Sequence, residues 1–138
     1  MAGQNPAGLY VIVTDLSALG TGDVPLHAVS QTLNADSYIS FENALQFHGM
    51  YDQMLSSMGA VTFKRARHYT VLNTQFNFYH IKKDLYFGLR SEEVGGYQVH
   101  IADREKALLD ILYFRSDVFH AGLVWEKLSR YKETIDFS

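Results

Sequence analysis

The sequence predicts an α+β protein: a mainly antiparallel sheet of four or five strands, packed with helices at both ends of the chain. Three observations lead there. Nine Tyr, nine Phe and one Trp are crowded into 138 residues, and so many rings favour a core with sheet content. Apolar residues fall at helical spacing before Gly49 and after Ile101, but alternate or cluster as β-formers in between. The only prolines are Pro6 and Pro25, so almost nothing forbids regular structure after Pro25.

Residues 1–8 read as a disordered leader or added remnant, and 9–138 as a single domain, because 138 residues are too few for two ordinary cores. Leu9–Thr14 (LYVIVT) reads as a short strand, and Asp15–Asp23, rich in Gly, Ser, Thr and Asp, as a loop. Pro25 suits a first helical turn, which predicts a helix over Leu26–Leu33 that ends at Asn34-Ala35-Asp36. Ser40 is a candidate N-cap for the next helix. Phe41, Ala44, Leu45 and His48 follow at helical spacing, and Gly49 sits where a left-handed terminator belongs. His48 would bond a free carbonyl at that helix's end.

From Gly59 the period shortens. Ala60–Phe63, Tyr69–Leu72, Gln75–Ile81 and Asp84–Phe87 read as strands, with Asn73-Thr74 as a tight connection and Gly95-Gly96 as the turn into Tyr97–Ile101. Phe76 and Phe78 share one face. The connections are too short for crossovers, hence the antiparallel expectation. Ala102–Arg115 reads as a helix capped by Asp103, with Leu108, Leu109, Ile111 and Leu112 as its apolar stripe and Arg115 at its negative end. Gly122–Tyr131 reads as the last helix, with Leu123, Trp125 and Leu128 as buried positions.

Net charge is −3, but it is unevenly spread. Residues 1–59 contain five acids and no Lys or Arg. Residues 60–90 contain six bases, Lys64, Arg65, Arg67, Lys82, Lys83 and Arg90, against the single acid Asp84. This basic block, interleaved with Phe63, Tyr69, Phe76, Phe78 and Tyr79, is the candidate contact surface for an acidic partner or for nucleic-acid phosphate. The plainer reading is that it neutralises the acidic N-terminal third.

The absence of cysteine excludes disulfides, zinc ribbons and a Cys nucleophile. No apolar run reaches the roughly 18 residues of a membrane span, and the start has no signal-peptide pattern, so a cytoplasmic protein is expected. The six histidines form no HExxH or HxH pair, and Walker A, GxGxxG and GxSxG patterns are missing. No metal, cofactor or catalytic residue is expected. Asp103, Glu105 and Asp110, helped by Glu92 or Lys106, would be the acids of a small metal-dependent hydrolase, the least favoured reading.

Three stretches, taken in order, carry a resemblance. Ser37-Tyr38-Ile39-Ser40-Phe41-Glu42-Asn43-Ala44-Leu45-Gln46-Phe47-His48-Gly49 is similar to the "Y-hydrophobic-S-xx-AL-xx-HG" segment of AbiEi-type antitoxins and related transcriptional regulators. Phe87-Gly88 resembles that family's "F-G" step. Ile101-Ala102-Asp103-Arg104-Glu105-Lys106-Ala107-Leu108-Leu109-Asp110 resembles its "IA-x-x-EK-x-LLD" helix start. The resemblance covers roughly Leu9 to Leu128. It implies the C-terminal, non-enzymatic domain of a bacterial transcriptional regulator, without the winged helix-turn-helix half through which the family binds operator DNA. Gly8-Leu9-Tyr10-Val11-Ile12 resembles that half's last strand or the strand just after it, although Ala7 stands where a basic residue is usual.

The implied role is to counter a nucleotidyltransferase-type toxin in a phage-defence toxin–antitoxin pair. The alternative is a stand-alone nucleic-acid-binding module. A homodimer is left open by the many Tyr and Phe residues. Among the matched residues Ser40 caps, Ala44 and Leu45 pack, His48 and Gly49 end a helix, and Leu108 and Leu109 are core. Glu105 would bridge to Arg104 or Lys106, or close the helix start against the sheet. Asp110, an acid in an apolar stripe, needs a partner if buried.

Overall fold

The computed structural model describes residues 24–71, 73–115 and 117–131. The expected leader 1–8, the strand Leu9–Thr14 and the loop Asp15–Asp23 lie outside the described residues. In chain order the elements are α1 (Leu26–Leu33), β1 (Ser37–Ile39), α2 (Phe41–Phe47), β2 (Ser57–Thr62), β3 (Arg67–Val71), β4 (Thr74–His80), a 3-10 turn (Lys83–Leu85), β5 (Leu89–Val94), β6 (Tyr97–Ala102), α3 (Arg104–Phe114) and α4 (Val118–Arg130).

The protein is α+β, but its sheet is mixed and, among the described residues, has six strands in the order β3-β4-β2-β1-β6-β5. This corrects the expectation of a mainly antiparallel sheet of four or five. Neighbours β1 and β6 run parallel, as do β2 and β4, while β1–β2, β3–β4 and β5–β6 are antiparallel. The short connections do permit this. Residues 63–66 step from β2 over β4 to reach β3, a lateral distance of about 9.5 Å or two strand spacings, which four extended residues span. Chain reversal at Asn73 then drops β4 into the gap, parallel to β2.

Two strands have no strong sequence signature. β1 is three residues long and fully buried. β5 reads Leu-Arg-Ser-Glu-Glu-Val and, among the described residues, is an edge strand that pairs with β6 alone. Its hairpin turn is Gly95-Gly96, with φ of 58° and 86°, the double left-handed geometry that a two-residue hairpin loop demands. The expected strand Asp84–Phe87 is instead the 3-10 turn, closed by Leu85 N–H to Lys82 O at 2.9 Å and Tyr86 N–H to Lys83 O at 3.1 Å. It lies between β4 and β5 and is no part of the sheet.

Helix α2 ends as its sequence suggests. Gly49 adopts φ +78°, its N–H bonds Gln46 O at 3.1 Å, and Met50 N–H bonds Leu45 O at 2.8 Å, the paired bonds that satisfy terminal carbonyls. Its start is different. Ser40 occupies the N-cap position but makes no side-chain cap bond. Phe41 takes φ +58°, an unusual state for a bulky residue. Its buried ring is held by Tyr79 and Phe114 edge-on at 5.3 and 5.5 Å and by the Arg115 guanidinium at 4.4 Å. Gly59 leaves room for it, since a Cβ there would stand 3.0 Å from the Phe41 ring.

Helix α3 is capped as expected, Asp103 Oδ1 accepting from Lys106 N–H at 3.0 Å. Helix α4 begins four residues earlier than Gly122, because Asp117 caps it by accepting from His120 N–H at 2.8 Å.

The core collects Tyr38, Ile39, Phe41, Leu45, Met50, Val61, Phe76, Phe78, Ile81, Ile101 and Ile111. Several apolar expectations fail. Leu109 and Leu112 lie on the outer side of α3, and Trp125, expected to be buried, is 70% exposed on α4. The inner side of α3 is formed instead by Lys106, Ala107, Leu108, Asp110 and Ile111. Within α1, Ser30 is fully buried and its Oγ has no hydrogen-bond partner among the described residues. An unsatisfied buried hydroxyl costs about 1–3 kcal/mol. Ser30→Ala is therefore expected to raise stability by about 1 kcal/mol, read as a higher urea midpoint at unchanged slope.

Candidate functional site

The three stretches that carry the resemblance meet at one buried polar cluster. Side chains alternate along a strand, so Tyr38 points away from Ile39. Its hydroxyl donates to Asp110 Oδ2 at 2.9 Å, and Ser40 Oγ donates to the same oxygen at 2.7 Å. Asp110 Oδ1 is 3.2 Å from Lys106 Nζ, one helical turn back on α3. That ammonium also donates to Leu85 O at 2.8 Å and lies 4.3 Å from the centre of the Phe87 ring. Gly88 follows with φ +75°, and a Cβ there would stand 2.8 Å from Lys106 Cβ. His48 joins the first stretch to the third, its Nε2 lying 2.8 Å from Ala102 O. This carbonyl ends β6 and is not one of the free carbonyls of the histidine's own helix.

Burial dominates the electrostatics here. Asp110 and Lys106 are 1% and 5% exposed. Desolvation pushes the Asp110 carboxyl above its ordinary range, and the bonds from Ser40 and Tyr38 and the charge of Lys106 only partly offset it. The Tyr38 hydroxyl is pushed far up, first by burial and then by the Asp110 charge. Tyr86, edge-on to Tyr38 at 5.3 Å, is raised by burial and by the charge of Asp36. The cluster's hydroxyls, ammonium and carboxylate bond to one another inside the protein. As built, this is an anchor between β1, the 85–88 segment and α3.

The remaining matched residues fall around it. Ala44, Leu45 and Leu108 are buried, Leu109 is half exposed, and Glu105 lies in the first turn of α3. Asp103 and Asp110 do not form a carboxylate pair: one caps the helix and the other accepts from Ser40 and Tyr38 and pairs with Lys106. Among the described residues no group of three or more His, Asp or Glu is arranged to hold a metal. No helix among them is long and apolar enough to cross a membrane.

Five of the six bases meet at one end of the sheet. Thr62 and His80 are partners at the matching ends of parallel β2 and β4, so Lys64-Arg65 and Lys82-Lys83 leave the sheet side by side. His80 Nδ1 lies 2.9 Å from Lys64 O, and Ile81 N–H bonds Thr62 O at 2.9 Å. Phe63 lies between the ammonium groups of Lys64 at 5.7 Å and Lys83 at 5.1 Å. Arg67 opens β3 beside them. Lys64 reaches Asp36 at 3.7 Å, an exposed pair worth little. Among the described residues no ion pair holds exposed Arg65, Lys82 or Lys83.

Arg90 does not join this group. The pairing row Arg90–Ile101–Ile39–Ala60–Phe78–Arg67 runs the full width of the sheet. Arg90 thus sits about 24 Å from Arg67, on the other edge, near Glu92 at 3.7 Å.

Sequence reasoning passed over a groove between α1, α2 and the far ends of β2 and β4. It has a volume of about 470 Å³ and is lined by Pro25, His27, Asn43, Gln46, Met58 and Asn73, among others. Burial lowers the His27 imidazole below its ordinary value. Asn43 is occupied structurally, bonding Ser57 O and Gly59 N–H. The chain matches no protein-family model and no curated protein sequence.

Proposed function

We propose that this chain is an antitoxin-like regulatory domain of the AbiEi type, which acts by binding and not by turnover. Its partner would be a nucleotidyltransferase-type toxin of a bacterial phage-defence pair, met in the cytoplasm. One observation carries the reading: residues from two of the three stretches that resemble the family bond to one another, through Tyr38, Ser40, Lys106 and Asp110, and the third stretch packs on Lys106 through Phe87 and Gly88. Shared residues that cooperate in space support the resemblance better than shared residues scattered over a surface. The same cluster is enclosed and internally bonded, which favours an architectural role for it. The contact surface is then the basic end.

A triple substitution of Arg65, Lys82 and Lys83 to Glu tests this surface. Among the described residues none of the three has an ion pair to lose, so the melting temperature should hold. Reversing three charges at a contact is expected to weaken binding to the toxin about 30-fold or more and to abolish neutralisation. Unchanged binding and neutralisation would remove the basic end from the proposal. If the wild-type chain binds no toxin but binds duplex DNA, with affinity falling steeply as salt rises, a nucleic-acid module replaces the antitoxin reading.

A further inference from the structure

A different face of the molecule points to self-association. Helices α3 and α4 pack against each other, and their inner sides carry Ala107, Ile111 and Val124. Their outer sides are apolar too. Leu109, Leu112 and Tyr113 recur at i, i+3 and i+4 on α3 and are 42–52% exposed. On α4, Val118 is 89%, Phe119 75% and Trp125 70% exposed. Val118 and Trp125 are two turns apart on one side of the helix. α3 ends at Phe114 and α4 starts at Val118, so Tyr113 and the Val118–Phe119 pair are a few residues apart in the chain at the corner between the helices.

We propose that this face pairs with the same face of a second copy of the chain, about a two-fold axis. The six residues together expose on the order of 800 Å², comparable to the area one partner contributes to a standard interface. A two-fold contact sets a surface against itself. A strongly basic patch cannot do that without opposing like charges, whereas six uncharged side chains can. The edge fits as well: Glu126 and Arg130, 3.7 Å apart and both exposed, place both signs beside the rings, the mixed polar rim typical of interfaces.

Trp125 is the only tryptophan, so the face carries its own reporter. The test is sedimentation velocity and tryptophan emission on the whole chain, across about two decades of concentration. Wild type should pass from monomer to dimer, with emission shifting to the blue in step. Trp125→Glu and Phe119→Glu change exposed positions and should keep the circular dichroism of the wild type. Each should weaken association about 100-fold or more, as expected for a central aromatic anchor. Emission of Phe119→Glu should stay red at all concentrations.

A wild type that stays monomeric throughout overturns the proposal. Red emission in that monomer would mean the face is open, and blue emission that it is covered by this chain's own residues. A dimer that survives both substitutions also overturns it. So does a monomer whose toxin binding is lost in Trp125→Glu, which would assign the face to that partner. None of these outcomes depends on the basic end.

Discussion

Asp110→Ala is expected to destabilise the fold by about 3–5 kcal/mol, the cost of breaking a buried ion pair from one side. Several losses coincide. Lys106, 5% exposed, loses the carboxylate it pairs with, and the buried hydroxyls of Tyr38 and Ser40 lose their common acceptor. The cost is not a measure of how much the pair stabilises the wild type. Burial holds the Asp110 carboxyl above its ordinary value, so the folded protein binds that proton more tightly than the unfolded chain does. The associated stability is then fully present below the ordinary value of 3.8 and is lost as pH rises through the raised folded value. The stability of wild type relative to Asp110→Asn should therefore fall as pH rises from the ordinary value of 3.8 through the raised one. Urea midpoints of wild type, Asp110→Ala and Asp110→Asn over that range check both statements. Replacing the pair together, as Lys106→Met with Asp110→Leu, should recover only part of the loss, because the Tyr38 and Ser40 hydroxyls still have no acceptor.

Gly88→Ala should cost about 2–4 kcal/mol, although it adds a single methyl group. Two penalties act at once. At φ +75° any Cβ is strained, and this one would stand 2.8 Å from Lys106 Cβ and 3.0 Å from its Cγ. Relief requires the lysine stem to move, and the stem carries the ammonium that bonds Asp110 and Leu85 O. Gly88→Ala and Asp110→Ala should accordingly be non-additive, each removing part of what the other would have disturbed. Gly96→Ala is the comparison. Its φ of +86° is as demanding, but no atom lies within 4 Å of its Cβ position, so it isolates the backbone strain. A double-mutant cycle by urea unfolding measures both effects.

Legibility in the sequence followed the range of the interaction. Local signals read well: Gly49 marks the end of α2 and Asp103 the start of α3, because caps and terminators act within a turn of their own position. Strand identity read less well where pairing decides it. The Arg-Ser-Glu-Glu segment of β5 has no β-forming character of its own and is a strand because β6 offers it a ladder. The mixed sheet was out of reach for the same reason, since nothing in residues 63–66 tells which side of β2 the next strand will take.

The candidate site divides along the same line. An acid within an apolar stripe announced that Asp110 needs a partner. It did not announce that Ser40, an apparent helix cap, would serve that acid from 70 positions away. The six bases looked like one block because they are close in sequence. Strand order keeps five together and sends Arg90 to the far edge. The outward Trp125 was misread because apolar spacing on a helix looks the same whether the stripe faces a core or a partner.

The brevity of β1 bears on how the chain reaches this fold. The hydrogen-bonded sheet consists of a β3-β4-β2 ribbon and a β6-β5 hairpin, and β1 alone bridges them, touching β6 at the single register pair Ile39–Ile101. The hairpin, with its two-residue turn, closes a short loop and can form early. The Ile39–Ile101 contact closes a loop of about sixty residues and must wait for it. The bonds from Tyr38 and Ser40 to Asp110 close over a similar separation in sequence, and they reinforce the short strand that links the two parts of the sheet.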